Sequence, residues 1–184
     1  MNTGLRFSLQ VVLVLAGLGF ALSVTSHILA LLDVPLTTWV FSLHLGIFVV
    51  WFPTVLIGQR MARDTGSRDF WRVVLRGAPS WMKSVLGVLF AYAIGNFVLF
   101  ILRARTHNVT SGNVASPSVV RGFSGHWMVF YGAAFATIYS ALHTPHALEK
   151  RTCPNGHTVS PLASFCPTCG ARLSDGMAPS PISS

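Results

Sequence analysis

The sequence predicts an all-α membrane protein, a four-helix transmembrane bundle with a small metal-binding unit at its C-terminus. Three observations carry that expectation. Of 184 residues, 52% are hydrophobic and only 10% charged, whereas ordinary globular domains carry about a quarter charged residues. Four apolar stretches, each long enough to cross a bilayer, follow one another along the chain. All three cysteines lie in the last 32 residues, close to a histidine. A mean hydropathy of +0.58 excludes a disordered chain and argues against a purely soluble domain.

The apolar stretches run from about Phe7 to Leu32, from Leu36 to Gly58, from Ser84 to Leu102 and from about Phe123 to Leu142, and none contains Asp, Glu, Lys or Arg. At about 1.5 Å per residue each covers a hydrocarbon core of about 30 Å. A backbone in lipid must satisfy its own hydrogen bonds, so each stretch is expected to cross as a helix. The first stretch could be a cleaved signal peptide, since Arg6 precedes it and small residues follow near Ala21 to Ser23. Its apolar character continues through His27 to Leu32, longer than a signal core, and then meets the tight turn Asp33-Val34-Pro35. A retained helical hairpin is the expectation.

With four crossings, the N-terminus, the 59–83 loop and the C-terminal tail share one side. That side holds Arg6, Arg60, Arg63, Arg68, Arg72, Arg76, Lys83, Lys150, Arg151 and Arg172, leaving Arg103, Arg105 and Arg121 for the other. The positive-inside rule places both termini in the cytoplasm of a cell with an inner membrane. The net charge of +8 is then a topology signal and an attraction to anionic lipid of the bilayer. No nucleic-acid partner is expected. Within the 59–83 loop, residues 69–76 are expected to form an interfacial helix, capped by Ser67 or Asp69, ended by Gly77 and Pro79 and flanked by Trp71 and Trp81. A partner-binding helix is the sharper alternative. The 104–122 loop is polar and expected to be mobile, and Asn108-Val109-Thr110 matches a glycosylation acceptor.

Small residues recur four apart in every helix: Gly17, Ala21, Thr25; Thr38, Ser42, Gly46; Gly87, Ala91, Gly95; and Gly132, Ala136, Ser140. Lipid-immersed helices associate by close backbone approach, so these stripes favour a compact bundle, and a homo-oligomer is compatible with them. Pro53 should free the carbonyl of Val49 and bend the second helix.

The tail carries the sharpest signal. Cys153-Pro-Asn-Gly-His157, eight residues, then Cys166-Pro-Thr-Cys169-Gly170 sets four soft or borderline ligands on two tight turns, the set tetrahedral zinc requires. Gly156 and Gly170 let the backbone fold back toward the sulfurs. So short a unit cannot fold without a metal. A redox Cys-x-x-Cys is the competing reading, against which the two extra ligands argue. From Cys153 to about Leu173 the sequence resembles small bacterial zinc ribbons, which implies a structural zinc and a docking role more often than catalysis. Residues 149–173 are therefore read as a cytoplasmic zinc ribbon able to engage a cytoplasmic protein partner, residues 1–148 as the membrane domain, and residues 174–184 as a disordered tail.

The remaining histidines offer a second chemistry. His27, His44 and His126 fall in the outer halves of their helices, and ionisable groups in lipid mark sites more often than not. One reading has them converge on a haem, a transition metal or a proton pathway; the other gives each a single interhelical hydrogen bond. At 100° per residue His44 lies about 160° from the small stripe of its own helix. His107 lies beyond the third helix, and Asn96 in its outer half. The stretch from His44 through Trp51-Phe52 to Arg60 resembles the second helix of small haem-binding membrane proteins, namely the oxygen-independent protoporphyrinogen oxidase family and CopD-like copper proteins, which implies haem or copper at His44. His143-Thr-Pro-His146 is an H-x-x-H whose Pro145 breaks helical spacing, so a helix end is expected there. No nucleophile triad, paired carboxylates or phosphate-binding loop is present. The leading expectation is a non-enzymatic membrane protein with a docking ribbon. A membrane redox or metal-handling protein comes second, and a small transporter or channel subunit third.

Overall fold

A computed structural model describes residues 3–63, 65, 67–104, 113–148, 151–159 and 163–173. The glycosylation acceptor at Asn108, His107, Arg105, Lys150 and the tail 174–184 lie outside the described residues. The chain is mostly helical. Four long helices, α1 (Thr3–Leu31), α2 (Ser42–Met61), α4 (Ser80–Ala104) and α5 (Pro117–His143), pack together, with a short α3 (Phe70–Val74) between α2 and α4. Three of them, Thr3–Leu31, Thr38–Met61 and Ser80–Arg103, are long and apolar enough to cross a membrane.

The helix ends follow from local chemistry. After α1, Asp33 takes φ 53°, the left-handed region that Asp tolerates better than most side chains. The Val34 N–H then bonds back to the Leu29 carbonyl at 3.0 Å, the six-to-one closure of a Schellman end. α5 opens on Pro117 behind Ser116, because a proline in the first turn gives up an N–H that has no helical partner there. It ends at His143, two residues before Pro145. Pro53 sits inside α2, which continues past it to Met61.

At one end of the bundle, the hairpin end, β1 (Leu36–Thr37) pairs antiparallel with β2 (Val114–Ala115). This ties the α1–α2 connection to the residues leading into α5. Asp33 and Arg121 lie 3.8 Å apart there, too exposed to add much stability. At the opposite end, the tail end, Leu9, Ile57, Met61, Ile138, Ala141, Ala147 and Leu148 form one buried cluster. The Arg60 Nε–H donates to the Leu148 carbonyl at 3.1 Å, fastening the start of the C-terminal segment to the end of α2. Gly77 comes so close to α5 that a Cβ would meet the Ser140 carbonyl, and its N–H donates to Ser140 Oγ at 2.8 Å. α3, shorter than the expected 69–76, buries Val73 and Val74 beside Ala62 and leaves Trp71 and Arg72 exposed; Asp69 stands at its N-cap but makes no side-chain capping bond.

α5 is the hub, with α1, α2 and α4 laid around it. Its stripe Gly132, Ala136, Ser140 is half-buried to buried, as the four-residue spacing predicts. On α1 the buried face instead runs through Ala16, Gly19, Ser23, Ser26, His27 and Ala30, and Ala21 and Thr25 are exposed. On α4, Gly87, Ala91 and Gly95 all face outward. Periodicity identifies a face but not which neighbour covers it.

Candidate metal centre and the helix histidines

The C-terminal unit consists of two matching turns. β3 (Arg151–Thr152) pairs antiparallel with β4 (Thr158–Val159). Between them the Cys153 N–H donates to the His157 carbonyl, and the Gly156 N–H to the Cys153 carbonyl, both at 2.9 Å. The second turn is similar but one residue wider: the Cys166 N–H donates to the Ala171 carbonyl at 2.8 Å and the Gly170 N–H to the Cys166 carbonyl at 2.9 Å. Gly156 and Gly170, at φ 82° and 68°, occupy the conformation that glycine alone adopts cheaply.

These turns aim four ligand atoms at one point. Cys153 Sγ, His157 Nδ1, Cys166 Sγ and Cys169 Sγ all lie within 4.8 Å of one another. Cys153 Sγ is 3.7 Å from Cys169 Sγ and 3.4 Å from His157 Nδ1, and Cys166 Sγ is 3.8 Å from that nitrogen. A tetrahedral ion with metal–sulfur bonds of about 2.3 Å and metal–nitrogen bonds of about 2.0 Å has edges of roughly 3.5 to 3.8 Å. The cluster is thus already the size of a zinc coordination shell and fits a metal such as zinc.

Electrostatics act in the same direction at one ligand. The Ala171 backbone N–H, hydrogen-bonded to the Cys169 sulfur, is the main cause of a thiol pKa lowered to about 6, against an opposing contribution from desolvation. The thiolate is the form that binds metal. Desolvation pushes the Cys153 thiol up, so a cation is what would draw its proton off. The His157 N–H points at Cys153 Sγ from 3.3 Å, a second-layer contact that steadies a thiolate. Apart from its ligands the unit buries little: Cys153, Cys166, Val159 and Leu173 form its core. A core half made of candidate ligands would be completed by a bound ion.

His27 is buried, and both ring nitrogens are engaged: Nδ1 lies 2.7 Å from Ser124 Oγ, and Nε2 meets the Tyr92 hydroxyl. Ser124 Oγ–H donates onward to the Arg121 carbonyl at 3.2 Å, so the hydroxyl accepts from His27 Nδ1–H and Tyr92 donates to Nε2. The result is a satisfied polar chain joining α1, α4 and α5. Asn96, one turn beyond Tyr92, donates to the same Arg121 carbonyl.

The structure brings His44 and His126 together, with His126 Nε2 3.1 Å from His44 Nδ1 and ring centroids 5.1 Å apart at 83°. Trp127 Nε1–H donates to the same His44 nitrogen at 3.2 Å. Ser124 and His126 are two residues apart, about 200° around α5, so His27 and the His44–His126 pair use opposite sides of that helix. The three do not share one ligand set. Sequence reading missed Tyr92, Ser124 and Trp127 as partners. The lone tyrosine of α4 and a serine in α5 were the available signals.

Comparison with family models, with curated proteins and with solved structures gives no match.

Proposed function

We propose that the chain is a four-span inner-membrane protein with both termini in the cytoplasm, whose C-terminal zinc ribbon is a structural or partner-docking module. The observation that carries this reading is the Cys153, His157, Cys166, Cys169 cluster at tetrahedral spacing. Four protein ligands close the shell and leave no position for substrate, which favours structure over catalysis. α5 supplies the fourth span. Its 27 residues reach about 40 Å, and its modest hydropathy suits a helix wrapped by three others. The predominance of Arg and Lys at the tail end supports the orientation.

The purified protein should carry one zinc per chain, and Cys169→Ser should release it. In membranes, a photo-crosslinker at Thr168, exposed on the second turn, should give a discrete protein adduct that Cys166→Ser abolishes. Zinc without any adduct would leave a structural module and remove docking. The redox or metal-handling reading has the pairing of His44 with His126 in its favour. A Soret band or bound copper lost on His44→Ala would install it instead.

A further inference from the structure

The hydrogen bonds around His44 assign its tautomer. An indole N–H can only donate, so the contact from Trp127 Nε1 makes His44 Nδ1 an acceptor. Neutral His44 then carries its proton on Nε2. His126 Nε2, beside the same Nδ1, is attracted only by donating as well. Both neighbours engage Nδ1, and the His44 Nε2–H has no protein partner among the described residues.

His44 lines an open groove of about 580 Å³ at the hairpin end, walled mainly by Trp39, Phe41, Leu45 and Phe123, with Thr38 and Ser42 also along it. That volume falls within the range of small-molecule sites. Phe41 and Phe123 meet edge to face with centroids 6.0 Å apart, and Phe123 stands 6.5 Å from the His44 ring. The rim faces outward: Trp39 is 82% exposed and Leu45 69%. In a bilayer such a groove is entered from the lipid side. A fitting occupant would be largely apolar, present a flat ring to the aromatic walls and accept a hydrogen bond from His44. The geometry points to the head ring of a membrane quinone, with one carbonyl accepting from His44 Nε2–H. Only binding is assigned, and it is independent of the ribbon reading.

The full chain in nanodiscs, titrated with a decyl-benzoquinone, should bind one equivalent saturably. Tryptophan quenching and a shift of the His44 Nε2–H signal in ¹⁵N-histidine-labelled protein would report it. His44→Phe keeps a ring but removes the donor and should weaken binding about tenfold. Leu45→Trp, at a rim position where added bulk meets lipid rather than the core, should block the groove. Decyl acetate, which has the chain and a carbonyl but no ring, should bind at least about tenfold more weakly. Equal binding of the two probes would give the groove to lipid ester carbonyls and overturn the proposal. So would a quinone affinity unchanged in both variants, or a stoichiometric transition metal recovered on His44 and His126.

Discussion

α4 and α5 lie side by side, yet one is exposed along its length and the other enclosed. α4 is almost wholly exposed along its length and shows Val85, Val88, Phe90, Ile94, Val98 and Leu99 to its surroundings. α5 is enclosed, and what it encloses is Gly122, Ser124, Gly125, Ala134, Thr137 and Ser140 together with Trp127 and Ile138. In water the apolar helix would be the hidden one. In lipid, apolar surface costs nothing to expose, so small and hydroxyl-bearing residues move inward, where backbones approach and hydrogen bonds cross between helices. On the membrane reading, the outward apolar residues of α4 mark contact with lipid, and the small and hydroxyl-bearing residues among those α5 buries mark contact with protein.

Paired substitutions test that contrast. Gly125→Leu should have the largest effect. A Cβ there would sit 3.3 Å from the Ala93 Cα and 3.4 Å from Asn96 Nδ2. Backbone cannot step aside as a side chain can, so α4 would be forced away at a cost of about 3 kcal/mol in detergent unfolding. Ser124→Ala should cost less, about 1 kcal/mol, the scale of one interhelical hydrogen bond in a membrane. It strands the His27 Nδ1–H while leaving Tyr92 in place. Gly95→Leu on α4 should be the mildest. Nothing lies within 4 Å of a Cβ there, and the gain in helix propensity, about 0.5 to 1 kcal/mol, should leave unfolding unchanged or slightly harder. If Gly95→Leu were as damaging as Gly125→Leu, the outward face of α4 would be covered by another chain, and the contrast between the two helices would fail.

The apolar runs overlap the four long helices, because length and composition are properties of each segment alone, but Leu36–Thr37 pairs as a strand and α2 begins only at Ser42. The start of α5 came out six residues late in the sequence reading, at 123 rather than Pro117. Arg121 interrupted the apolar run, and the Ser116-Pro117 start signal was passed over. The metal cluster was legible because its four ligands lie within a single short stretch, so turn chemistry alone determines whether they meet. The histidine partners were not. His27 finds Tyr92 at 65 residues' separation and Ser124 at 97, and His44 finds His126 at 82. Those meetings depend on how whole helices rotate against each other, and a two-turn pattern of small residues leaves that rotation open. The outward stripe on α4 makes the same point.

The bond from Arg60 to the Leu148 carbonyl sets the leash on which the cysteine unit hangs. Cys153 follows Leu148 by five residues, and a fully stretched chain of that length spans no more than about 17 Å. Cys153 therefore stays within that distance of Leu148, and on the membrane reading proposed above the unit would be held close to the bilayer surface. A partner of the kind proposed above would have to meet the unit at that end of the bundle.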